Sequence, residues 1–324
     1  MDGRRHDKGS TWWRSLFTWS GIFVIVLLAG LIFAACDDDE DGGDPTATEE
    51  MTDETSEPSD GAGLLQEAID RGYITVGIAN EAPYGFEDES GVATGEAPEV
   101  ARAVLARLGI PEIRSTVVDF GSLIPGLNAG QFDMIAAGMF ITAERAEQIL
   151  FTDPDYCATQ AFAVAAGNPL GIGTFEDIAA NDDATVGVLS GAVEEGYAEA
   201  AGVPADRIQV FDTTPNVFEG LVDGRISAVA LTSITVNWQI QQLDDDSIES
   251  TEGFVPVIDG VEQFGCGGYG FHFDDEEFRN AFNDVLNEMK ENGEILPIVE
   301  QFGFTAADVD QAVGVTVESL TGGE

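Results

Sequence analysis

Arg145 stands three residues after Thr142 in the segment TAER, where Thr142 is suited to begin a helix. A guanidinium in the first helical turn can bind a carboxylate through two parallel hydrogen bonds, assisted by the free N–H groups of the helix start. The same arginine is also compatible with a surface ion pair to Glu144 or Glu147. The residue types alone therefore indicate either a carboxylate-binding site or a solvated surface pair.

Three aromatic residues, Tyr84, Phe120 and Phe140, follow or end predicted β-strands. Loops at the carboxyl ends of parallel strands form the ligand crevice of open α/β folds, and aromatic faces hold weakly hydrated cations, at about 0.5–2 kcal/mol each when desolvated. Glu81 lies in one of these loops and can accept a hydrogen bond from a cationic N–H group. Core packing of Phe120 and Phe140, and a solvated carboxylate at Glu81, remain the alternatives.

The elements that would position these residues follow a regular order. Strands are predicted at 74–78, 113–118 and 134–137, with helices at 98–108 and 123–129 between them. This βαβα rhythm predicts a mostly parallel sheet covered by helices.

A second strand series begins near residues 185–189. The predicted strand at 160–166 leads to it, and the run at 267–271 returns the chain, so that the helix at 275–292 packs back on the first part. A chain that crosses twice between two sheets makes two lobes around a cleft.

The N-terminus has the layout of a secretory signal peptide. Arg4 and Arg5, with other basic residues, precede an apolar run at about 22–35. The stretch LIFAAC at 31–36 resembles a bacterial lipobox, in which the cysteine, here Cys36, is lipidated and becomes the new N-terminus. An uncleaved transmembrane anchor is the alternative, and both interpretations place the rest of the chain outside the cytoplasm.

The predicted organisation of the whole chain has five parts. It consists of a lipoprotein signal peptide at 1–35, an acidic disordered tether at 36–63, a first lobe at 64–160 and 267–316, a second lobe at 161–266, and a tail at 317–324. The tether is assigned because Asp, Glu, Thr, Ser, Pro and Gly dominate it and cannot bury a core.

Acidic residues outnumber basic ones by 60 to 13, which gives a formal net charge of -47. Such a charge repels nucleic acids and anionic membrane surfaces, so neither is expected as a binding partner. It is typical of proteins that work at high salt, where screening relieves self-repulsion, although an ordinary acidic secreted protein also fits.

Cys157 and Cys266 are the only cysteines after Cys36. In an oxidising compartment an isolated pair favours a disulfide over a metal or catalytic site. Each precedes a predicted crossover strand, so a bridge would link the second lobe to the first near the hinge. The sequence has no metal-ligand cluster and no phosphate-binding glycine loop, and neither a metal nor a cofactor is expected.

Four segments resemble the extracellular solute-binding proteins, family 3, that serve ABC importers for polar amino acids. They are ITVGI with PYGF at 74–78 and 83–86, GEAPEVA at 95–101, FGSLIPGLNAGQFD at 120–133, and GMFITAER at 138–145. Within the family, the wording ANEAPY, GEAP and FGSLIP is most similar to ectoine- and hydroxyectoine-binding lipoproteins. The resemblance implies an α/β, two-lobed, periplasmic-binding-protein-like fold of type II, with a ligand cleft between the lobes and a two-strand hinge.

The resemblance also implies a set of ligand-binding residues. These are Glu81, Tyr84, Phe120, Phe140, Thr142, Arg145, Gly191, Val193 and Thr232. Arg145 would bind the ligand carboxylate, and the aromatic residues would form a box around its delocalised cation. Family members that bind α-amino acids usually carry Ser or Thr in place of Val193 and Asp in place of Thr232, so both departures argue against an ordinary α-amino acid.

The function implied by the resemblance is capture of ectoine or hydroxyectoine as a compatible solute for an ABC importer, without catalysis. The expected partners are the zwitterionic ligand, the permease subunits and, through a lipid anchor, the outer face of the cell membrane, with the protein acting as a monomer. A polar amino acid or a betaine-type osmolyte bound by the same fold is the alternative. A cyclohexadienyl-dehydratase-like enzyme is a second one.

Overall fold

The computed structural model of the chain describes residues 63–322, so the predicted signal peptide, Cys36 and nearly all of the predicted tether lie outside the described residues. The helices are α1 (Leu64–Arg71), α2 (Glu96–Arg107), α3 (Leu123–Asn128), α4 (Ala143–Ala146), α5 (Phe175–Ala180), α6 (Val193–Ala200), α7 (Thr214–Val222), α8 (Ser233–Leu243), α9 (Glu276–Glu291), α10 (Leu296–Val299), α11 (Ala306–Asp310) and α12 (Val317–Thr321). Among these described residues, no helix combines the length and the hydrophobicity needed to span a bilayer.

The strands form two main sheets and two short hairpins. They are β1 (Tyr73–Ile78), β2 (Phe86–Glu87), β3 (Ala93–Thr94), β4 (Glu112–Val117), β5 (Met134–Phe140), β6 (Leu150–Phe151), β7 (Tyr156–Ala158), β8 (Gln160–Ala165), β9 (Val186–Leu189), β10 (Ile208–Phe211), β11 (Ala228–Thr232), β12 (Ile248–Ser250), β13 (Val257–Ile258), β14 (Val261–Glu262) and β15 (Gly265–Phe271).

The first sheet has the strand order β4-β1-β5-β15-β6, and β7 also pairs with β15. Strands β4, β1 and β5 are parallel, whereas β15 is antiparallel to β5, β6 and β7. Helix α9 packs on this sheet through an apolar stripe at helical spacing: Phe278, Phe282, Leu286 and Met289. These side chains join α2 and β1 in one hydrophobic core.

The second sheet has the strand order β10-β9-β11-β8-β12. Strands β10, β9 and β11 are parallel, and β8 runs antiparallel to β11 and β12. Phe162 and Phe175 belong to one core cluster of this sheet, and Val217 and Leu221 belong to a second. Helices α5 and α7 contribute to different clusters, and the predicted two-sheet α/β architecture is confirmed. The two main sheets are mixed rather than mostly parallel, because β15 and β8 pair antiparallel with every neighbour.

Two chain segments connect the sheets. Residues 156–165 run from β7 into β8, and β15 returns the chain to the first sheet. The backbone of Gln160 is hydrogen-bonded to that of Phe254, which follows β12, in both directions at 2.8 Å each. The two connecting segments themselves pair where β7 meets β15. Cys157 and Cys266 are cross-strand neighbours on β7 and β15, and a disulfide joins them. Residues 265–266, placed in the second lobe by sequence, are therefore part of a strand of the first sheet.

The segment predicted as a tail contains α12. Thr316 begins this helix, and its side chain accepts a hydrogen bond from the backbone N–H of Ser319. Val317 and Leu320, three residues apart, both pack against the core of the first sheet. The backbone N–H of Val317 also donates to Asp153 at 3.0 Å. These contacts hold the described end of the chain on the first lobe.

We expect Cys157 and Cys266 to resist thiol labelling in unreduced protein even after unfolding. Reduction should make both reactive and lower the stability by about 4–5 kcal/mol, because it frees a loop spanning 109 residues in the unfolded chain. Maleimide labelling followed by peptide mass spectrometry measures each cysteine separately, with the reduced sample as the positive control. Labelling of both cysteines without reductant would contradict the bridge.

Candidate functional site

A cavity of about 30 Å³ lies where the carboxyl ends of parallel strands from the two sheets face each other. Seven of the nine predicted ligand-binding residues line it: Glu81, Tyr84, Phe120, Phe140, Arg145, Val193 and Thr232. The other two line an adjoining outer chamber of about 730 Å³, to which Arg145 also contributes. The inner cavity therefore gathers residues that are far apart in the sequence, because each follows or ends a strand at the same sheet edge.

The aromatic wall of the inner cavity rests on glycines. A Cβ atom at Gly138, where φ is +62°, would overlap the ring of Tyr84, and one at Gly265 would overlap the ring of Phe140. Behind this wall, the Tyr156 ring centroid lies 5.2 Å from that of Tyr84 and 6.2 Å from that of Phe140. Close packing on the backbone of β5 and β15 thus fixes the orientation of both rings.

Arg145 is buried between the sheets, with 9% of its surface exposed. Its Nη1 donates to the Phe140 carbonyl at 2.7 Å, and its Nη2 donates to the Gly191 carbonyl at 2.9 Å. The guanidinium carbon lies 5.4 Å from the centroid of the Phe120 ring. Within residues 63–322, no carboxylate oxygen comes within 4.0 Å of this guanidinium.

The charge of Arg145 is consequently held by neutral carbonyls and a ring face. Burial lowers the pKa of this guanidinium, and the nearby Glu194 carboxylate opposes the effect. Arginine nevertheless stays protonated in proteins, so the site retains a desolvated positive charge with donor capacity left over. Such a group favours an anionic ligand, most of all a carboxylate that can accept two hydrogen bonds.

Thr142 and Gly191 support Arg145. The Thr142 side chain caps α4 by accepting a hydrogen bond from the backbone N–H of Arg145 at 3.2 Å, and both Thr142 and Gly191 border the outer chamber. Thr142 therefore positions the helix that carries Arg145, and its predicted contact with the ligand stays a prediction.

Helix α6 begins at the cavity from the second lobe. Ala192 precedes its first turn without a side-chain cap, and both Ala192 and Val193 line the cavity. The Val193 side chain packs against the core of the first sheet, so this helix start meets the opposite lobe. Uncapped N–H groups at a helix start favour a negative charge, which adds to the attraction exerted by Arg145.

Glu194 is a cavity residue that the sequence analysis does not single out. It is 3% exposed, and the Gln160 amide, oriented to satisfy its neighbours, donates to its Oε1 at 2.8 Å. Acidic residues in the first turn of a helix are common on protein surfaces, so the residue type does not indicate a buried position in a binding site. Its position after the 191–193 turn, at the same sheet edge as Thr232, is the only signal that could have revealed it.

Glu81 and Glu194 form a pair of buried carboxyl groups. Burial, with the negative charge of Glu194 as the next cause, raises the pKa of Glu81 from 4.5 to about 8. Burial likewise raises the pKa of Glu194 from 4.5 to about 7, although its own backbone N–H and Arg145 oppose this. A cationic group bound between the two carboxyls would favour their ionised forms.

Hydrogen bonds across the cleft hold the two lobes in a closed arrangement. The Tyr84 hydroxyl of the first lobe donates to Thr232 Oγ1 of the second at 2.9 Å, and Arg145 donates to Gly191 at the same distance. With both sides in contact around so small a cavity, a ring-sized ligand can enter only when the lobes separate.

Comparisons with known proteins agree with this geometry. Residues 74–305 match the family described as bacterial extracellular solute-binding proteins, family 3. The probable amino-acid ABC transporter periplasmic-binding protein y4tE of Sinorhizobium fredii (strain NBRC 101917 / NGR234) is 34% identical over 263 residues, which cover 80% of this chain and 86% of that protein.

Two solved structures extend the comparison. The crystal structure of EhuB in complex with hydroxyectoine matches with 35% identity and a TM-score of 0.73, covering 79% of this chain and 97% of that chain. The second is the crystal structure of the ancestral amino acid-binding protein AncCDT-1, a precursor of cyclohexadienyl dehydratase. It matches with 27% identity and a TM-score of 0.64, covering 74% of this chain and 99% of that chain. Together, the family match and the shared two-lobed fold show that this chain belongs to the bacterial extracellular solute-binding proteins, family 3.

Proposed function

We propose that the cleft captures ectoine or hydroxyectoine as a compatible solute and presents it to the permease of an ABC importer. Family membership makes the chain an extracytoplasmic substrate-binding protein of an importer of the amino-acid type. The observation that carries the finer assignment is the composition of the inner cavity. Arg145, without a carboxylate within 4.0 Å among residues 63–322, shares the cavity with Glu81 and Glu194.

Arg145 and the start of α6 make this cavity suited to a carboxylate. The guanidinium of Arg145 and the start of α6 approach it from opposite lobes, so a bound carboxylate would be held by both. Each contact is desolvated, which strengthens charge-assisted hydrogen bonds. The ligand carboxylate would thereby also favour closure.

The acidic and aromatic residues of the cavity suit a delocalised cation with N–H donors. Glu81 and Glu194 provide two acceptors, and the rings of Tyr84, Phe120 and Phe140 supply aromatic faces. Ectoine carries a ring amidinium and a carboxylate, and a flat ring of this kind fits between aromatic walls. EhuB, whose structure was solved with hydroxyectoine, shares the fold at 35% identity and supports this choice.

The cavity suits other zwitterions less well. An α-amino acid carries a localised ammonium, and Thr232 is a neutral hydroxyl at the position where amino-acid binders of the family usually carry Asp. Glycine betaine has no N–H donor, so it would leave the two buried carboxyls without hydrogen bonds. Arginine remains the strongest competitor, because its guanidinium could also pair with Glu81 and Glu194.

The proposed mechanism is a hinged clamp that binds without catalysis. The ligand first contacts Arg145 and the aromatic wall of the first lobe, and the second lobe then closes over it through the start of α6. The permease would recognise the closed form. Glu81 and Glu194 have pKa values near neutrality, as acid-base catalysts often do, but the clamp needs both as charge partners, and the ligand should be recovered unchanged.

Lipidation at Cys36 would complete this role by holding the protein at the outer face of the cell membrane. The acidic segment at 36–63 would act as a flexible tether between anchor and binding domain. Globomycin treatment of cells that express the chain, followed by mass analysis, tests whether a lipoprotein signal is cleaved there.

We expect the full chain, in mild non-ionic detergent at high salt, to bind ectoine in isothermal titration calorimetry. Arg145→Ala should weaken binding by about 30-fold or more, because a buried charge partner is worth about 2–5 kcal/mol. Arg145→Lys should also bind weakly, because lysine keeps the positive charge but cannot form the bidentate hydrogen bonds of a guanidinium.

Arg225→Ala is the matched control, because this arginine is half exposed on the second lobe and forms only loose pairs with Glu219 and Asp223. It should bind like the wild type. Glutamine, arginine and glycine betaine serve as comparison ligands. Heat with arginine or glutamine, and none with ectoine, would contradict the assigned ligand and leave the family assignment intact.

We further expect the stabilisation by ectoine to depend on pH. In the ligand-free protein, the raised pKa values of Glu81 and Glu194 mean that the folded state binds more protons than the unfolded state. Their contribution to stability is complete below about pH 4.5 and is lost as the pH rises through 7 to 8. A cation bound beside the ionised carboxylates offsets this loss.

The rise in Tm caused by ectoine should therefore be larger at about pH 8 than at about pH 5 in differential scanning fluorimetry. Glu81→Gln should remove most of the difference, whereas Glu219→Gln, an exposed control, should preserve it. Equal shifts of the wild type at both pH values would show that the carboxylates do not contact a cation.

A further inference from the structure

Four hydroxyl and carboxyl groups form a continuous hydrogen-bonded chain across the cleft. The Tyr84 hydroxyl donates to Thr232 Oγ1 at 2.9 Å, and Thr232 Oγ1 donates to Thr235 Oγ1 at 3.1 Å. Thr235 Oγ1 then donates to Glu81 Oε1 at 3.4 Å. This chain of hydrogen bonds starts at Tyr84 in the first lobe, continues through two threonines of the second lobe, and ends at Glu81 in the first lobe.

The direction of these hydrogen bonds is set by what each group can do. Thr232 Oγ1 also accepts from the backbone N–H of Thr235 at 3.2 Å, so it accepts twice and donates once, which uses its full capacity. Thr232 therefore has no lone pair left for a ligand N–H in the closed form. Once Glu81 is ionised it can only accept, so the Thr235 hydroxyl then donates to it.

This chain exists only when the lobes are closed, because its two ends and its middle belong to different sheets. Both threonines lie at the start of α8, and Thr235 is fully buried. One turn further along α8, Gln239 Nε2 donates to the Ala82 carbonyl at 3.1 Å, beside Glu81. The start of α8 thus docks on the loop that carries the carboxylate.

We propose that Thr235 is a positioning residue for Glu81, and that the hydroxyl chain through Tyr84 and Thr232 couples closure of the cleft to the orientation of this carboxylate. The coupling to ligand affinity rests on the proposed role of Glu81 as the partner of the ligand cation. Closure supplies the Thr235 hydrogen bond to Oε1, which leaves Oε2 for the ligand. Thr232 serves the chain and does not contact the ligand directly.

The chain also bears on specificity. An α-ammonium group carries three N–H donors and needs several acceptors, whereas the closed cleft has committed the Thr232 hydroxyl and one oxygen of Glu81. A planar amidinium has fewer N–H groups and therefore needs fewer hydrogen-bond acceptors. Closure with an α-amino acid would have to break the chain.

The test measures Glu81 itself and then the affinity. In ligand-free full chain carrying ¹³C-labelled glutamate carboxyls, the Glu81 resonance is assigned by its loss in Glu81→Gln, and its titration is followed by NMR. Thr235→Val should raise the pH midpoint of the Glu81 titration, because a hydrogen bond that stabilises the ionised carboxylate is lost. Calorimetry with ectoine near neutral pH should then show affinity reduced roughly tenfold.

Three further variants keep the test specific. Thr235→Ser retains the hydroxyl and should restore both the midpoint and the affinity. Tyr84→Phe removes the first donor while keeping the ring, and should shift both measurements in the same direction by less. Thr214→Val is the matched control, because Thr214 is a buried threonine on α7 whose hydroxyl has no hydrogen-bond partner among the described residues.

The outcomes separate this inference from the proposed function. An unchanged Glu81 midpoint in Thr235→Val overturns the inference, as does a raised midpoint with unchanged ectoine affinity. A raised midpoint in a protein whose wild type does not bind ectoine supports the contact of Thr235 with Glu81 and overturns the assigned ligand. If Thr235→Val does not fold, Tyr84→Phe takes its place. An unchanged pH midpoint of Glu81 in that variant would then overturn the inference.

Discussion

The cost of burying charge between the two lobes is the constraint on which the site depends. Arg145, Glu81 and Glu194 are each nearly removed from water, yet within residues 63–322 no carboxylate lies close enough to pair with Arg145. Isolated buried charges cost several kcal/mol each, and pKa shifts or new partners relieve that cost. A zwitterion brings both missing partners at once. Under the proposed function, closure around such a ligand would pair Arg145 with its carboxylate and would favour the ionised forms of Glu81 and Glu194.

The fold makes this arrangement possible because both lobes present the same kind of edge. Glu81, Phe120 and Phe140 stand at the carboxyl ends of parallel strands in the first sheet, and residues 191–194 and Thr232 do so in the second. Residues at such edges point into the cleft without interrupting either sheet. The second lobe has two hydrophobic clusters of its own, so it keeps its core when the lobes separate. The core of the first sheet also receives Val193, Ile234 and Trp238 from the second lobe, and opening the cleft would uncover that contact. Few cross-cleft hydrogen bonds then have to break on opening.

Much of the fold and part of the site could be predicted from local patterns. The strand at 74–78 and the helix at 275–292 were recognisable because apolar residues repeat with the period of each element. Arg145 and the aromatic residues were recognisable because their motifs are distinctive. Glu194 was not, since its sequence context is that of a solvated helix start. The hydrogen bonds from Tyr84 through Thr232 could not be predicted for another reason. The two residues are 148 positions apart in the sequence, and their contact depends on how the closed lobes meet.

The disulfide between Cys157 and Cys266 would prolong the life of the protein outside the cytoplasm. It closes the chain at the base of the second lobe, with 109 residues separating its ends. Extracytoplasmic proteins meet proteases, and exposed loops such as the β13–β14 hairpin are typical points of attack. A single cut anywhere between the two cysteines leaves the fragments covalently joined, and sheet pairing keeps them in register. A nicked molecule would thus retain both halves of its cleft.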